Sequence, residues 1–253
     1  MTNGASCLCL TYGRPALLEE AIESFIRQDW DGPKELIVLN DHPKQELVFE
    51  HPEVRVFNLD ARVPTLGEKR NLSVQLAQYD RLLIWDDDDI HLPWRISESM
   101  KVLAEAEYFK CPQLWRFLDD GFYHHVSEQE EWYHCTAAYR RSLFDELGGY
   151  TAMNTGEDTS FDRRLKGSPS LGRFWKLSEL PLDRLYYIYR VTHGHYRTTG
   201  CTDLSKIDPP VKVGRLKLEP HWETDYCEKV AREVDRMRFN QSLSSWLCGE
   251  RFC

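Results

Sequence analysis

No two of the eight cysteines (Cys7, Cys9, Cys111, Cys135, Cys201, Cys227, Cys248 and Cys253) stand at C-x-x-C spacing. That excludes a zinc ribbon and makes reduced thiols in a cytoplasmic protein the expectation. No charged leader followed by an apolar stretch opens the sequence, and no apolar run reaches the about 20 residues of a membrane span, so neither secretion nor insertion is expected. A Gly-rich, Lys/Arg-bearing phosphate loop is missing as well. After the first apolar run there is only Tyr12-Gly13-Arg14, which weighs against a nucleotidyltransferase. Positive charge is short overall, with 32 Lys and Arg against 41 Asp and Glu and a formal net charge of -9. A surface built mainly for nucleic-acid phosphates is therefore disfavoured. Between Arg184 and Lys217 the balance does turn positive, and such a run is more often a solvated face.

What the chain does have is a globular composition, 42% hydrophobic and 12% aromatic over 253 residues. That suffices for one sizeable core. The first hundred residues alternate short apolar runs with helical patterns, the signature of a largely parallel sheet with crossover helices. Strands are expected at Ser6 to Thr11, Glu35 to Leu39, Val54 to Leu59 and Arg81 to Trp85. Cys7 and Cys9, two apart in an apolar run, share one strand face as small core residues. A helix follows Pro15, with Leu17, Leu18, Ala21, Ile22, Phe25 and Ile26 on one side, and another spans Gly67 to Gln78. Further helices are expected at Pro93 to Ala106, Arg141 to Leu147 and Asp158 to Leu165. Arg184 to Val191 reads as a strand. A long amphipathic helix covers Asp225 to Leu247, with Tyr226, Val230, Val234, Met237 and Leu247 broadly on one face and Thr224 as its cap.

Arg81 to Trp85 runs directly into four aspartates, Asp86 to Asp89. Adjacent like charges raise one another's pKa unless a cation offsets them. A hard divalent cation with oxygen ligands that grips a diphosphate answers that demand; a solvated acidic turn before Pro93 is the alternative. Ligands in open parallel sheets sit beyond the carboxyl ends of strands, so Asp41 and Asp86 to Asp89 are candidate pocket walls.

Asp86 to Asp89 followed by Ile90, His91, Leu92 and Pro93 resembles the D-x-D-D-x-x-x-P segment of family 2 glycosyltransferases of the GT-A fold. Four more segments are similar to that family in the same order. Ser6 to Pro15 (SCLCLTYGRP) resembles the opening strand that ends in Thr-Tyr-Asn-Arg, with Gly13 in place of Asn. Leu36 to Asp41 (LIVLND) resembles the strand whose last Asp meets the base, although His42-Pro43 replaces the common Gly-Ser. Gly67 to Asn71 (GEKRN) resembles the Arg-bearing helix start over the nucleotide. Ala137 to Tyr150, followed by Gly156, Glu157 and Asp158, resembles the acceptor-side block that leads to the family's E-D motif. The likeness covers most of residues 5 to 165.

The resemblance implies a GT-A type α/β fold, a largely parallel twisted sheet flanked by helices, with a C-terminal helical appendage. It divides the chain into a catalytic domain, residues 1–205, and an extension, residues 206–253. About residues 1–95 form the nucleotide-binding half and 96–205 the acceptor half. The implied activity is metal-dependent transfer of a sugar from a nucleotide-sugar donor, a UDP-sugar, to an acceptor hydroxyl, with inversion by direct displacement. Mn2+ or Mg2+ is the implied cofactor, held by Asp88 and Asp86, with His193 and His195 completing the metal shell or approaching the diphosphate. Thr11, Tyr12, Arg14, Asp41, Arg70, Asp86 and Asp87 are the implied donor-binding residues. The attacking hydroxyl needs a base, and the motif assigns Asp158, with Glu157 beside it. Read without the family, both acids merely begin a helix, and Arg70 merely pairs with Glu68 or another neighbour. A catalytically silent sugar- or nucleotide-binding module would be marked by loss of the acid at 158 or of the aspartate cluster, and both are present. The acceptor is expected to be a glycan or another hydroxyl-bearing molecule; a modified nucleic-acid base rests only on the basic segment Lys206 to Lys217.

Overall fold

A computed structural model describes residues 4–118, 121–127, 133–167, 175–177, 180–190 and 212–249. The first half supplies β1 (Ala5–Thr11), α1 (Pro15–Ile26), β2 (Lys34–Asn40), β3 (Gln45–Val48), β4 (Val54–Asn58), α2 (Leu66–Leu76), β5 (Arg81–Asp86), β6 (Ile90–His91) and α3 (Arg95–Leu103). There follow β7 (Tyr108–Lys110), β8 (Gln113–Leu118), β9 (Gly121–Val126), β10 (Ala138–Arg140), α4 (Arg141–Glu146), α5 (Glu157–Gly167), β11 (Trp175–Leu177), β12 (Tyr187–Arg190), β13 (Gly214–Lys217) and α6 (Tyr226–Gly249). The main sheet has seven strands in the order β11-β7-β10-β5-β1-β2-β4. Its centre, β5, β1, β2 and β4, is parallel, while β10 runs antiparallel to both its neighbours. This is the α/β architecture with a largely parallel sheet that the apolar runs predict.

Both faces of that sheet are covered, which is why its central strands read as unbroken apolar runs. Alternate residues go to opposite sides. Cys7, Cys9, Leu36, Val38, Leu83 and Trp85 meet Leu18, Ile22 and Phe25 of α1 and Ile96 and Met100 of α3. Leu8, Ile37, Leu82 and Ile84 meet Val74 of α2 and Phe161 and Leu165 of α5 on the other side. Burying each large side chain of this kind contributes about 1.5–3 kcal/mol. Cys7 and Cys9 share a face, and with Cys111, Cys135 and Cys227 they are free thiols.

A second sheet, β6-β12-β8-β9, leans on the first. The third, parallel pair of β13 with β3, draws residues 214–217 back to the first half of the chain. Tyr226, Val230 and Val234 of α6 bury into the same core as α1 and β1.

Three sequence expectations need correction. Helix α2 begins at Leu66 because the Thr65 hydroxyl accepts the Glu68 amide at 3.2 Å and donates to the Glu68 carboxylate at 2.7 Å, a reciprocal cap. The strand expected from Arg184 starts only at Tyr187. Leu182–Arg184 is a single 3-10 turn, and the Arg184 guanidinium is drawn to Glu98 of α3 and over the Trp94 ring at 5.4 Å. Val191, its expected end, lies outside the described residues. Helix α6 is capped by Asp225, whose Oδ1 accepts the Glu228 amide at 2.9 Å, and not by Thr224.

Candidate active site

The register of the central strands lines up their carboxyl ends. Thr11 of β1 is opposite Asn40 of β2, and Leu10 is opposite Asp86 of β5. Thr11, Asp41 and the Asp86–Asp89 turn therefore share one rim of the sheet, where an α/β fold places its ligands.

At the β2 exit the Asp41 carboxylate is buried. Its Oδ1 takes a hydrogen bond from Lys69 Nζ at 2.5 Å and its Oδ2 one from the Val63 amide at 3.0 Å. Lys69 also donates to the Thr11 carbonyl at 2.6 Å, tying the ends of β1 and β2 together. Burial lowers the Lys69 pKa, against the pull of Asp41. A carboxylate oxygen accepts in two directions, so Asp41 retains acceptor capacity. Tyr12 packs on His42 with ring centroids 4.8 Å apart, and the Arg62 guanidinium lies 4.2 Å above the Tyr12 ring. Gly13 sits at φ 75°, the left-handed region that glycine and asparagine adopt most readily, so its replacement of Asn keeps the turn available.

The aspartate turn carries the positive partner that four like charges demand. Arg14, buried after Gly13, donates to Asp87 and, at 2.5 Å, to Asp88. Asp89 accepts the Tyr187 hydroxyl and, at 2.7 Å, the Arg190 amide. Asp86 has the Tyr187 hydroxyl at 3.4 Å. Burial raises the pKa of Asp86, opposed chiefly by Arg70. Burial likewise pushes Asp87 up to about 6 despite Arg14. Asp89 is raised well above the carboxylate range by burial and by the charges of Asp88 and Asp86.

Arg70 and Lys69 are adjacent on α2 and face different carboxylates. Arg70 Nε donates to Glu157 at 3.0 Å, so its partner is not Glu68. Burial pulls the Arg70 pKa down, but the charges of Glu157, Asp86 and Asp158 outweigh it and leave it raised. Arg70 thus stands between the β5 exit and the start of α5. Glu157 is buried, whereas Asp158 is half-buried, with Oδ1 accepting the Thr159 amide at 2.6 Å in the first turn of α5. Helix α5 is anchored by Asp162, which accepts from Lys110 at 2.6 Å and Tyr108 at 2.9 Å and lies 3.0 Å from His134 Nδ1. His134 Nε2 is 2.7 Å from the Tyr150 hydroxyl, whose ring faces Arg70. Gly67 at the start of α2 is fixed by contact, because a Cβ there would lie 1.9 Å from the Thr151 carbonyl oxygen. Close packing of α2 on the segment leading to α5 is what brings Arg70 to Glu157.

Among the described residues no three His, Cys, Asp or Glu side chains form a ready metal cluster. Asp86 and Asp88 are hard oxygen donors, the set that suits Mg2+ or Mn2+ when water and substrate phosphates complete the shell. The residues therefore fit such an ion. His193 and His195 lie outside the described residues. Sequence reasoning missed Lys69, Tyr187 and Arg190. Lys69 lies within the GEKRN segment, and a cation next to the expected Arg-bearing position was a usable signal; for Tyr187 and Arg190 there was none.

A family model described as glycosyl transferase family 2 matches residues 6–165, and the chain belongs to that family. The uncharacterized glycosyltransferase YwdF of Bacillus subtilis (strain 168) is 32% identical over 108 residues, 41% of this chain and 39% of that protein. Among solved structures, S. aureus TarS 1-349 superposes with a TM-score of 0.57 at 18% identity, covering 74% of this chain and 60% of that one. TarS 1-349 in complex with UDP-GlcNAc gives 0.58 at 16% identity, covering 79% and 62%. The fold is thus GT-A type, and the chain spans less than two thirds of these relatives' lengths. No helix among the described residues is long and apolar enough to cross a membrane.

Proposed function

We propose that the chain is a metal-dependent glycosyltransferase that moves a sugar from a UDP-sugar to an acceptor hydroxyl with inversion. The observation that carries this reading is the convergence of Asp41, the Asp86–Asp89 turn and the Arg70–Glu157 pair at the carboxyl ends of β1, β2 and β5. The TarS structures with UDP and with UDP-GlcNAc support the donor class. In this reading residues 1–205 form the catalytic domain, and the free thiols among the described cysteines suit a cytoplasmic setting.

Asp41 accepts the uracil ring N–H, while Thr11, Tyr12 and Arg70 border the nucleotide, and Arg14 orients Asp87 and Asp88. Asp88 and Asp86 would hold Mn2+ or Mg2+, which would supply positive charge to the departing diphosphate. The acceptor oxygen bonds to the anomeric carbon as the bond to the diphosphate oxygen breaks. The electron pair leaves with UDP and the hydroxyl proton passes to Asp158. Glu157 is instead engaged by the buried Arg70. The acceptor class is a glycan or another hydroxyl-bearing molecule.

Asp88→Ala tests the metal assignment. Its side chain is partly exposed and Arg14 retains Asp87, so the fold should persist. In calorimetry the gain in UDP affinity from Mn2+ should fall by about 100-fold or more, beyond the effect of removing an outer-shell partner. An unchanged Mn2+-dependent affinity removes Asp88 from the metal shell.

A further inference from the structure

One buried polar chain is not used by the reaction above. It begins at the first residue of α6, where the Tyr226 hydroxyl donates to Glu20 Oε2 of α1 at 2.8 Å. The Glu223 amide donates to the same oxygen at 3.2 Å. The other oxygen, Oε1, takes a hydrogen bond from Arg190 at the end of β12. Arg190 then reaches the aspartate turn twice, through Nε to the Asp88 carbonyl at 2.6 Å and through its own amide to Asp89 at 2.7 Å. A parallel branch runs from Trp222 Nε1 to the Ser24 hydroxyl at 3.0 Å, which in turn receives the His91 amide at 3.4 Å, just beyond the turn. Glu20, Arg190 and Tyr226 are all at most 5% exposed.

The chain joins residues 206 positions apart, and every link is charge-assisted or buried. Buried charges held this way fix geometry more than they add stability. Arg14 grips the aspartate turn by the side chains of Asp87 and Asp88, and Arg190 grips it by the Asp88 backbone. Without Arg190 the Asp88 carbonyl loses this donor and the turn is braced on one side only. We infer that Glu20 and Arg190 are positioning residues that set the aspartate turn for the cation and diphosphate, and that docking of α6 through Tyr226 completes them. The inference rests on the proposed reading for its ligand, and on the geometry alone for the coupling of α6 to the turn.

The full-length protein serves for the test, with Tyr226→Phe, Glu20→Gln and Arg190→Gln. Tyr226→Phe keeps the ring that packs on Trp222, Phe117 and Phe122, so it remains folded if the other two do not. Hydrogen exchange without ligand is the first readout. Amides of residues 86–91 should exchange about tenfold faster in the variants, while those of β1 and β2 stay as in the parent. The second readout is UDP affinity. Its Mn2+-dependent part should weaken by about tenfold in Arg190→Gln and by several-fold in Tyr226→Phe, on the scale of one hydrogen bond to a charged group. Affinity in the presence of a chelator should not change. A merely structural chain would lower the melting temperature and leave both readouts alone. Unchanged exchange at residues 86–91 in a folded Tyr226→Phe protein overturns the inference. If the parent itself gains no UDP affinity from Mn2+, the metal reading fails, and the exchange data still decide the coupling.

Discussion

In Asp158→Asn, transfer to the acceptor should fall by roughly two to four orders of magnitude, while UDP affinity with Mn2+ stays near that of the parent. A general base acts on the acceptor hydroxyl in the transition state and contributes on that scale; the near-isosteric amide removes proton abstraction and leaves the nucleotide side in place. The structure separates the two acids sharply enough for the test to be specific. Glu157 is engaged by Arg70, and Asp158 accepts hydrogen bonds from the neighbouring Thr159 in the first turn of α5. An acid that merely begins a helix would contribute about 1 kcal/mol or less to stability and nothing to turnover. Steady-state transfer assays beside calorimetry distinguish the cases. Full activity in folded Asp158→Asn would return the base assignment to open competition, and a silent binding module would show no transfer in the parent either.

The largest stability effect is expected at Lys69. Lys69→Met leaves the Asp41 carboxylate buried without its cation and the Thr11 carbonyl without that donor. Removing one partner of a buried pair typically destabilises by about 3–5 kcal/mol, much of it from the charge left behind. Urea unfolding should show a loss of that size in Lys69→Met, and less in Lys69→Met combined with Asp41→Asn, where no buried charge remains. A loss below about 1 kcal/mol, the range of exposed pairs, would mean that water reaches Asp41 and that Lys69 does not clamp β1 to β2.

Much of the fold is legible along the chain, for a local reason. Strands β1, β2 and β5 lie between two covered faces, so each is a continuous apolar run ended by polar residues. The short strands β3, β6 and β13 carry no such signal; β13 exists because Gly214 to Lys217 pair with Gln45 to Val48 from far back in the chain. The cap of α2 was readable in Thr65-Leu66-Gly67-Glu68, and the 3-10 turn before β12 was not, since Arg184 is held by Glu98 of α3, 86 positions away.

The site divides in the same way. Asp41, Arg70, the aspartate turn and Glu157-Asp158 stand out as residues because strand exits and an ordered family pattern mark them. Their partners do not stand out. That Asp41 belongs to Lys69 and that Arg70 reaches Glu157 depends on how α2 packs against β1 and α5, and that Arg14 neutralises Asp87 and Asp88 depends on β1 lying beside β5. Four adjacent aspartates demand a cation on electrostatic grounds, and the fold supplies Arg14. In the proposed reading an ion bound at Asp88 would share that carboxylate with Arg14.

The most direct measurement is release of UDP from a panel of nucleotide sugars by the purified protein, with and without Mn2+ and without added acceptor. Slow hydrolysis confined to UDP-sugars, dependent on Mn2+ and abolished in Asp88→Ala, is the result this account predicts. Hydrolysis that ignores the metal, or no binding or turnover of any nucleotide sugar by a well-folded protein, would contradict it.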